Sequence, residues 1–113
     1  MIKEQNLIAL GELYGGCSNL MCPRCGGDYT HQGRVSVFDR REDAELVSVT
    51  VVEDGLSATH LRPSNGSGNP SARRHAVTIK FYCELCDDPF ELVIAQHKGV
   101  SLVSWRYEER QQK

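Results

Sequence analysis

The sequence predicts a mostly β protein: an antiparallel sheet of about five strands carrying two cysteine knuckles. Three observations support this. The segment "HAVTIKFYC" (75–83) alternates strictly, with Val77, Ile79, Phe81 and Cys83 on one side. The segments 90–96 and 100–107 flank "HKG", a turn signal, and read as a hairpin. Two Cys-x-x-Cys pairs, "CPRC" and "CELC", sit beside predicted strands.

Taken in order, residues 3–14 are expected to form a short helix, with Ile2, Leu7, Ile8, Leu10 and Leu13 as its apolar residues and Gly15 and Gly16 ending it. Residues 1–20 form an N-terminal extension to one domain spanning 1–113. "RVSVF" (34–38) and "ELVSVTVVE" (45–53) are strands rich in β-branched residues, with "EDG" closing the second. Residues 61–74, "LRPSNGSGNPSARR", are dominated by Pro, Ser, Gly and Asn and are expected to be a flexible loop. The three strands already named follow, and a charged tail ends the chain.

Bulk properties narrow the function. The chain has 113 residues, a formal net charge of −2 and a pI near 6.1, which argues against binding nucleic acid through bulk charge. No apolar run approaches the length of a membrane span, and the N-terminus lacks the pattern of a signal peptide. The expected compartment is therefore the cytoplasm, where paired cysteines serve as metal ligands or redox groups rather than disulfides.

Cys22, Cys25, Cys83 and Cys86 are the candidate metal ligands. A Cys-x-x-Cys turn aims two thiolates at one centre while backbone N–H groups donate to the sulfurs. The residue after the second cysteine must tolerate positive φ; it is Gly26 in one pair and Asp87 in the other. Four thiolates suit a structural Zn²⁺ with no position left open for substrate. Iron takes the same four ligands, so the spacing does not separate the two metals. A thioredoxin-like dithiol would sit in a βαβ context, which the strand pattern does not offer. Cys17 falls outside the pairs and is expected to be a free thiol on a loop.

The knuckles and the sheet around them resemble a zinc ribbon, in which two knuckles clamp one metal. The combination "CPRCGG…HQGRVSVFDR…GNPSARRH…FYCELC…IAQHKGVSLVSW" also resembles small uncharacterised zinc-ribbon proteins of bacteriophages and other mobile elements. That resemblance implies a host cytoplasm as the setting, and no established activity.

Outside the cysteines, His31 is placed to support the first knuckle through a hydrogen bond to sulfur or backbone. His60 and His75 form no metal-ligand spacing with the other histidines. Trp105, sharing a side with Val103 and Tyr107, reads as core. The basic groups Arg40, Arg41, Arg73, Arg74, Lys98 and Arg106, with His97, are the candidate partner-contacting residues; arginine beside aromatics can hold phosphates and stack bases. No nucleophile–base set is present, and "GSGNP" lacks the ending of a phosphate loop. The expectation is a non-enzymatic binding or adaptor module. Its partner is a protein or nucleic acid, without membrane, and a homodimer could form through a sheet edge. Two alternatives stand: a metal- or thiol-dependent enzyme using the cysteine pairs, or a binder of small anionic ligands through the Arg73/Arg74 loop.

Overall fold

The computed structural model describes residues 2–5, 10–14 and 17–108, with side chains from 19 to 107. Among the described residues, nine strands follow one another: β1 (Ile2–Gln5), β2 (Leu10–Tyr14), β3 (Cys17–Leu20), β4 (Thr30–Asp39), β5 (Leu46–Glu53), β6 (Leu56–Pro63), β7 (Ala76–Cys83), β8 (Pro89–His97) and β9 (Val100–Glu108). Seven form one antiparallel sheet in the order β1-β9-β8-β7-β4-β5-β6, and β2 pairs with β3 in a separate ladder. Six of its strands form two three-stranded meanders, β4-β5-β6 and β7-β8-β9, joined by pairing β7 with β4, and β1 adds to the outer side of β9.

The expected segments 34–38, 90–96 and 100–107 lie within β4, β8 and β9, and 45–53 and 75–83 match β5 and β7 except for their first residues, Glu45 and His75. The N-terminal helix expected over 3–14 is not formed among the described residues. Lys3–Gln5 lie in β1, which pairs with the outer side of β9, and Leu10–Tyr14 lie in β2. Helix propensity is a weak prior, and an open sheet edge offers the backbone a full ladder. Residues 6–9 and 15–16 of that expectation lie outside the described residues.

β6 is a further departure, since 56–60 had no expected structure and 61–63 were expected in the loop. Asp54 and Gly55 have φ of 53° and 79°, the two positive values a two-residue type I′ hairpin demands. β6 is exposed throughout, so it shows no apolar alternation to read. It forms one outer edge of the sheet.

Register places two cores on opposite faces. Trp105, Leu92, Ile79 and Val35 stand in one cross-strand row. On that face, at the end where β7 finishes, Phe81, Cys83, Phe90, Trp105 and Tyr107 are buried with Cys22, and Leu20 packs against them. Trp105 meets the edges of Phe90 and Phe81 at 5.1 and 6.5 Å, and those two rings stack at 5.5 Å. Trp105 is core, as expected. The opposite face, toward the other end, buries Phe38, Val47, Val49, Ala76, Val93 and Ala95.

The connection from β6 to β7 crosses that second end. Hydrogen bonds connect it to β8 and to Arg40, which follows β4. The Ser71 hydroxyl is buried, donates to the Gln96 carbonyl at 2.7 Å, and accepts the N–H groups of Arg73 and Arg74. The Arg40 guanidinium donates to the carbonyls of Ala44 and Ala72.

Candidate metal centre

Strand β7 ends at Cys83, and β8 begins at Pro89. The turn between them is one knuckle. The other follows β3, from Cys22 to Gly27. Both close with the same hydrogen bonds. Cys22 N–H donates to the Gly27 carbonyl and Gly26 N–H to the Cys22 carbonyl; Cys83 N–H donates to Asp88 and Asp87 N–H to Cys83. Gly26 and Asp87 take φ of 74° and 62°, the left-handed conformation the spacing called for. The two turns also interlock. A Cβ on Gly27 would lie 2.5 Å from a methyl of Leu85 in the other knuckle.

The four sulfurs of Cys22, Cys25, Cys83 and Cys86 lie within 4.8 Å of one another, and all four thiols are free. Cys22 Sγ is 3.7 Å from Cys86 Sγ, and Cys25 Sγ is 3.5 Å from Cys83 Sγ. Sulfurs at about 2.3 Å from a central ion define a tetrahedron with edges of about 3.8 Å. The thiols are thus close enough to hold one metal ion. Backbone donors point at them: Arg24 N–H reaches Cys22 Sγ and Gly27 N–H reaches Cys25 Sγ, each at 3.4 Å.

Electrostatics within the cluster favour a cation. Burial pushes the Cys86 thiol up to about 12, and the neighbouring thiols of Cys83, Cys22 and Cys25 act in the same direction. Burial also raises Cys22, against donors from Cys25 and Arg24. At Cys83 burial again acts upward. There the N–H groups of Cys86 and Leu85 and the thiols of Cys25 and Cys86 favour the thiolate, and the group settles at about 7. Thiols in contact must share protons. A divalent ion replaces those protons and leaves every backbone donor facing a thiolate.

The surroundings hold the knuckles onto the sheet. Arg24 donates to the Pro89 carbonyl at 2.7 Å and lies 4.9 Å over the Tyr107 ring. His31 meets Glu84, between the cysteines of the second knuckle, at 2.9 Å. It supports that knuckle through a carboxylate instead of a sulfur. The Tyr82 hydroxyl donates to Asp87. Arg24 and Glu84 escaped the sequence reading, although both sit inside the Cys-x-x-Cys pairs. The side chain of Cys17, on β3, lies outside the described residues.

The candidate partner residues scatter. Arg40 is spent on the loop, and Arg73 grips Asp43 through two bonds of 3.0 and 2.6 Å. That bond first, then the charge of Arg73, holds the Asp43 carboxyl below the usual carboxylate range. Arg41 and Arg74 are exposed. His97 and Lys98 stand at the β8–β9 turn, where Lys98 has φ of 49°. His75 Nδ1 accepts the Arg40 N–H, and His60 is exposed on β6. Arg106 stands apart, on the sheet face opposite Trp105, beside Glu91 at 3.6 Å. The described residues include no helix long and apolar enough to cross a membrane.

No protein-family model, curated protein or solved structure matches this chain.

Proposed function

We propose that the chain is a non-enzymatic binding module, clamped by one structural Zn²⁺ on Cys22, Cys25, Cys83 and Cys86, that contacts a protein or nucleic-acid partner. The observation that carries this reading is the convergence of four thiols from two matching knuckles, one between β3 and β4 and one between β7 and β8. Four thiolates complete a tetrahedral shell, so a substrate finds no open coordination site. The zinc-ribbon resemblance of the knuckles agrees with this use of the metal. Zn²⁺ is favoured over iron because four thiolates with a closed shell need no redox change to serve as a clamp.

The clamp joins distant parts of the chain, freeing the surface of a small sheet for contacts. Protein purified without chelator is expected to carry about one Zn²⁺ per chain, from the four-thiolate ligand count. Elemental analysis showing iron would change the metal. Neither metal would remove the clamp. A thiol titration under native conditions is expected to find the four thiols protected; rapid reaction of two of them would favour the thiol-enzyme alternative.

A further inference from the structure

We infer that the sheet face opposite Trp105 carries a binding site for a phosphate monoester, held by Arg34, Lys80 and Arg106. The proposal deepens the binding-module reading by naming a ligand chemistry. None of its residues is a thiol ligand.

Register creates the site. Lys80, Glu91 and Arg106 are direct cross-strand partners on β7, β8 and β9. Arg34 joins them from β4, where the ladder with β7 is irregular between Gln32 and Val35. Ser36 and Thr78 face each other in the next row. Gly68, from the β6–β7 connection, forms a lip above. Together with Phe38 these residues line a cavity of about 190 Å³. That is about six times the share of liquid volume taken by one water, enough for a tetrahedral oxyanion.

Charge selects the ligand. The lining holds three cations and one carboxylate, an excess of two positive charges in a chain whose net charge is −2. Glu91 pairs with Arg106 at 3.6 Å, and Arg34 has only a loose contact of 3.9 Å with Glu53. Lys80 makes no ion pair among the described residues. Glu91 stands between Lys80 and Arg106 in the register, and one carboxylate offsets only one of the three cations, so the excess charge is left for an anion.

A donor without a partner points the same way. Arg106 Nε is buried and makes no hydrogen bond among the described residues. Buried polar groups are ordinarily paired, and an oxygen of a bound anion satisfies this one. Arginine forks and a lysine point charge are the usual partners of phosphate. A monoester, doubly charged near neutral pH, matches the excess charge better than a singly charged phosphodiester.

The test is titration of the metal-loaded protein with inorganic phosphate, a nucleoside monophosphate, and a short single-stranded oligonucleotide bearing either a 5′-phosphate or a 5′-hydroxyl. Saturable binding is expected, with amide shifts on β4, β7, β8 and β9. It should weaken as pH falls through about 6, where the monoester gains a proton. Lys80→Gln and Arg34→Gln are each expected to weaken binding about tenfold, the scale of one charge-assisted hydrogen bond. Arg74→Gln should not change it. Zinc content and melting of each variant are measured alongside, so loss of this site is distinguishable from failure of the metal clamp. A small ligand is the source if the nucleotide outcompetes the oligonucleotide, and a nucleic-acid end if the 5′-phosphorylated strand does. Equal binding of the 5′-hydroxyl strand, no saturation with any phosphate, or full affinity in both Gln variants would overturn the proposal.

Discussion

Gly26 and Asp87 occupy the same place in the two knuckles, each donating its N–H to the carbonyl of the first cysteine of its pair. Both are left-handed, but only one is glycine. Asp87 is additionally held by the Tyr82 hydroxyl. The left-handed region costs a β-branched residue roughly 1–2 kcal/mol or more. Gly26→Val is therefore expected to lower stability by about that amount and to weaken metal retention. Asp87→Asn, which tolerates the same conformation and keeps an acceptor for Tyr82, should change little. Thermal melts and competition with a chromogenic chelator check both. A Gly26→Val melt equal to wild type would show that the knuckle does not need this conformation.

Cys83 lies at the centre of the clamp and of the aromatic core, with no exposed surface. The binding energy of a structural zinc is largely folding energy, on the order of 10 kcal/mol, against about 5–15 kcal/mol for the stability of a whole domain. Cys83→Ser should lose metal and cooperative unfolding together. Cys17→Ser should keep both, because Cys22, Cys25, Cys83 and Cys86 already provide four ligands. Metal content and melts of the two variants decide the assignment. Metal loss in Cys17→Ser with retention in Cys83→Ser would reverse it.

Much of this centre was legible because its chemistry is local. A Cys-x-x-Cys turn needs only a few adjacent residues, so spacing and the residue at Gly26 or Asp87 announce it. The central strands were legible for a similar reason: Val77, Ile79 and Phe81 alternate with Thr78, Lys80 and Tyr82. What stayed hidden depends on register. Arg34, Lys80 and Arg106 are distant in sequence and meet only through the order β4-β7-β8-β9. β6 was hidden because its side chains are exposed on both faces, although Asp54-Gly55 was a usable hairpin signal. β1 depends on an open edge of β9, which no pattern within residues 2–5 records.

Arg73 and Asp43 give a pH-dependent link across the base of the loop. Their two hydrogen bonds lower the Asp43 pKa. The sign follows from that direction. The pair stabilises the fold fully above the ordinary carboxylate value of about 3.9, and the contribution is lost as pH falls through the lower folded value. Both side chains are exposed, so salt should weaken the link. An NMR titration is expected to place the Asp43 midpoint below that of an unpaired aspartate, and Arg73→Gln should restore it. An unchanged midpoint in Arg73→Gln would remove the link.

Ser71 tests whether the Gly/Ser/Pro-rich connection is held or loose. Composition alone favours a chain with little to bury, open to proteases. The structure adds one buried hydroxyl that serves three backbone groups: it donates to Gln96 and accepts from Arg73 and Arg74. Ser71→Ala removes that hub and leaves two N–H donors and one carbonyl seeking partners. The cost of leaving a buried polar group unpaired is about 1–3 kcal/mol, lessened here to the extent that water can enter. Wild-type protein should resist limited proteolysis between residues 64 and 75, and Ser71→Ala should be cut there while the metal stays bound. Resistance in the variant would mean that Arg40 and Asp43 alone hold the connection. Rapid cutting of the wild type at the same sites would mean that the hydrogen bonds around Ser71 do not restrain it in solution.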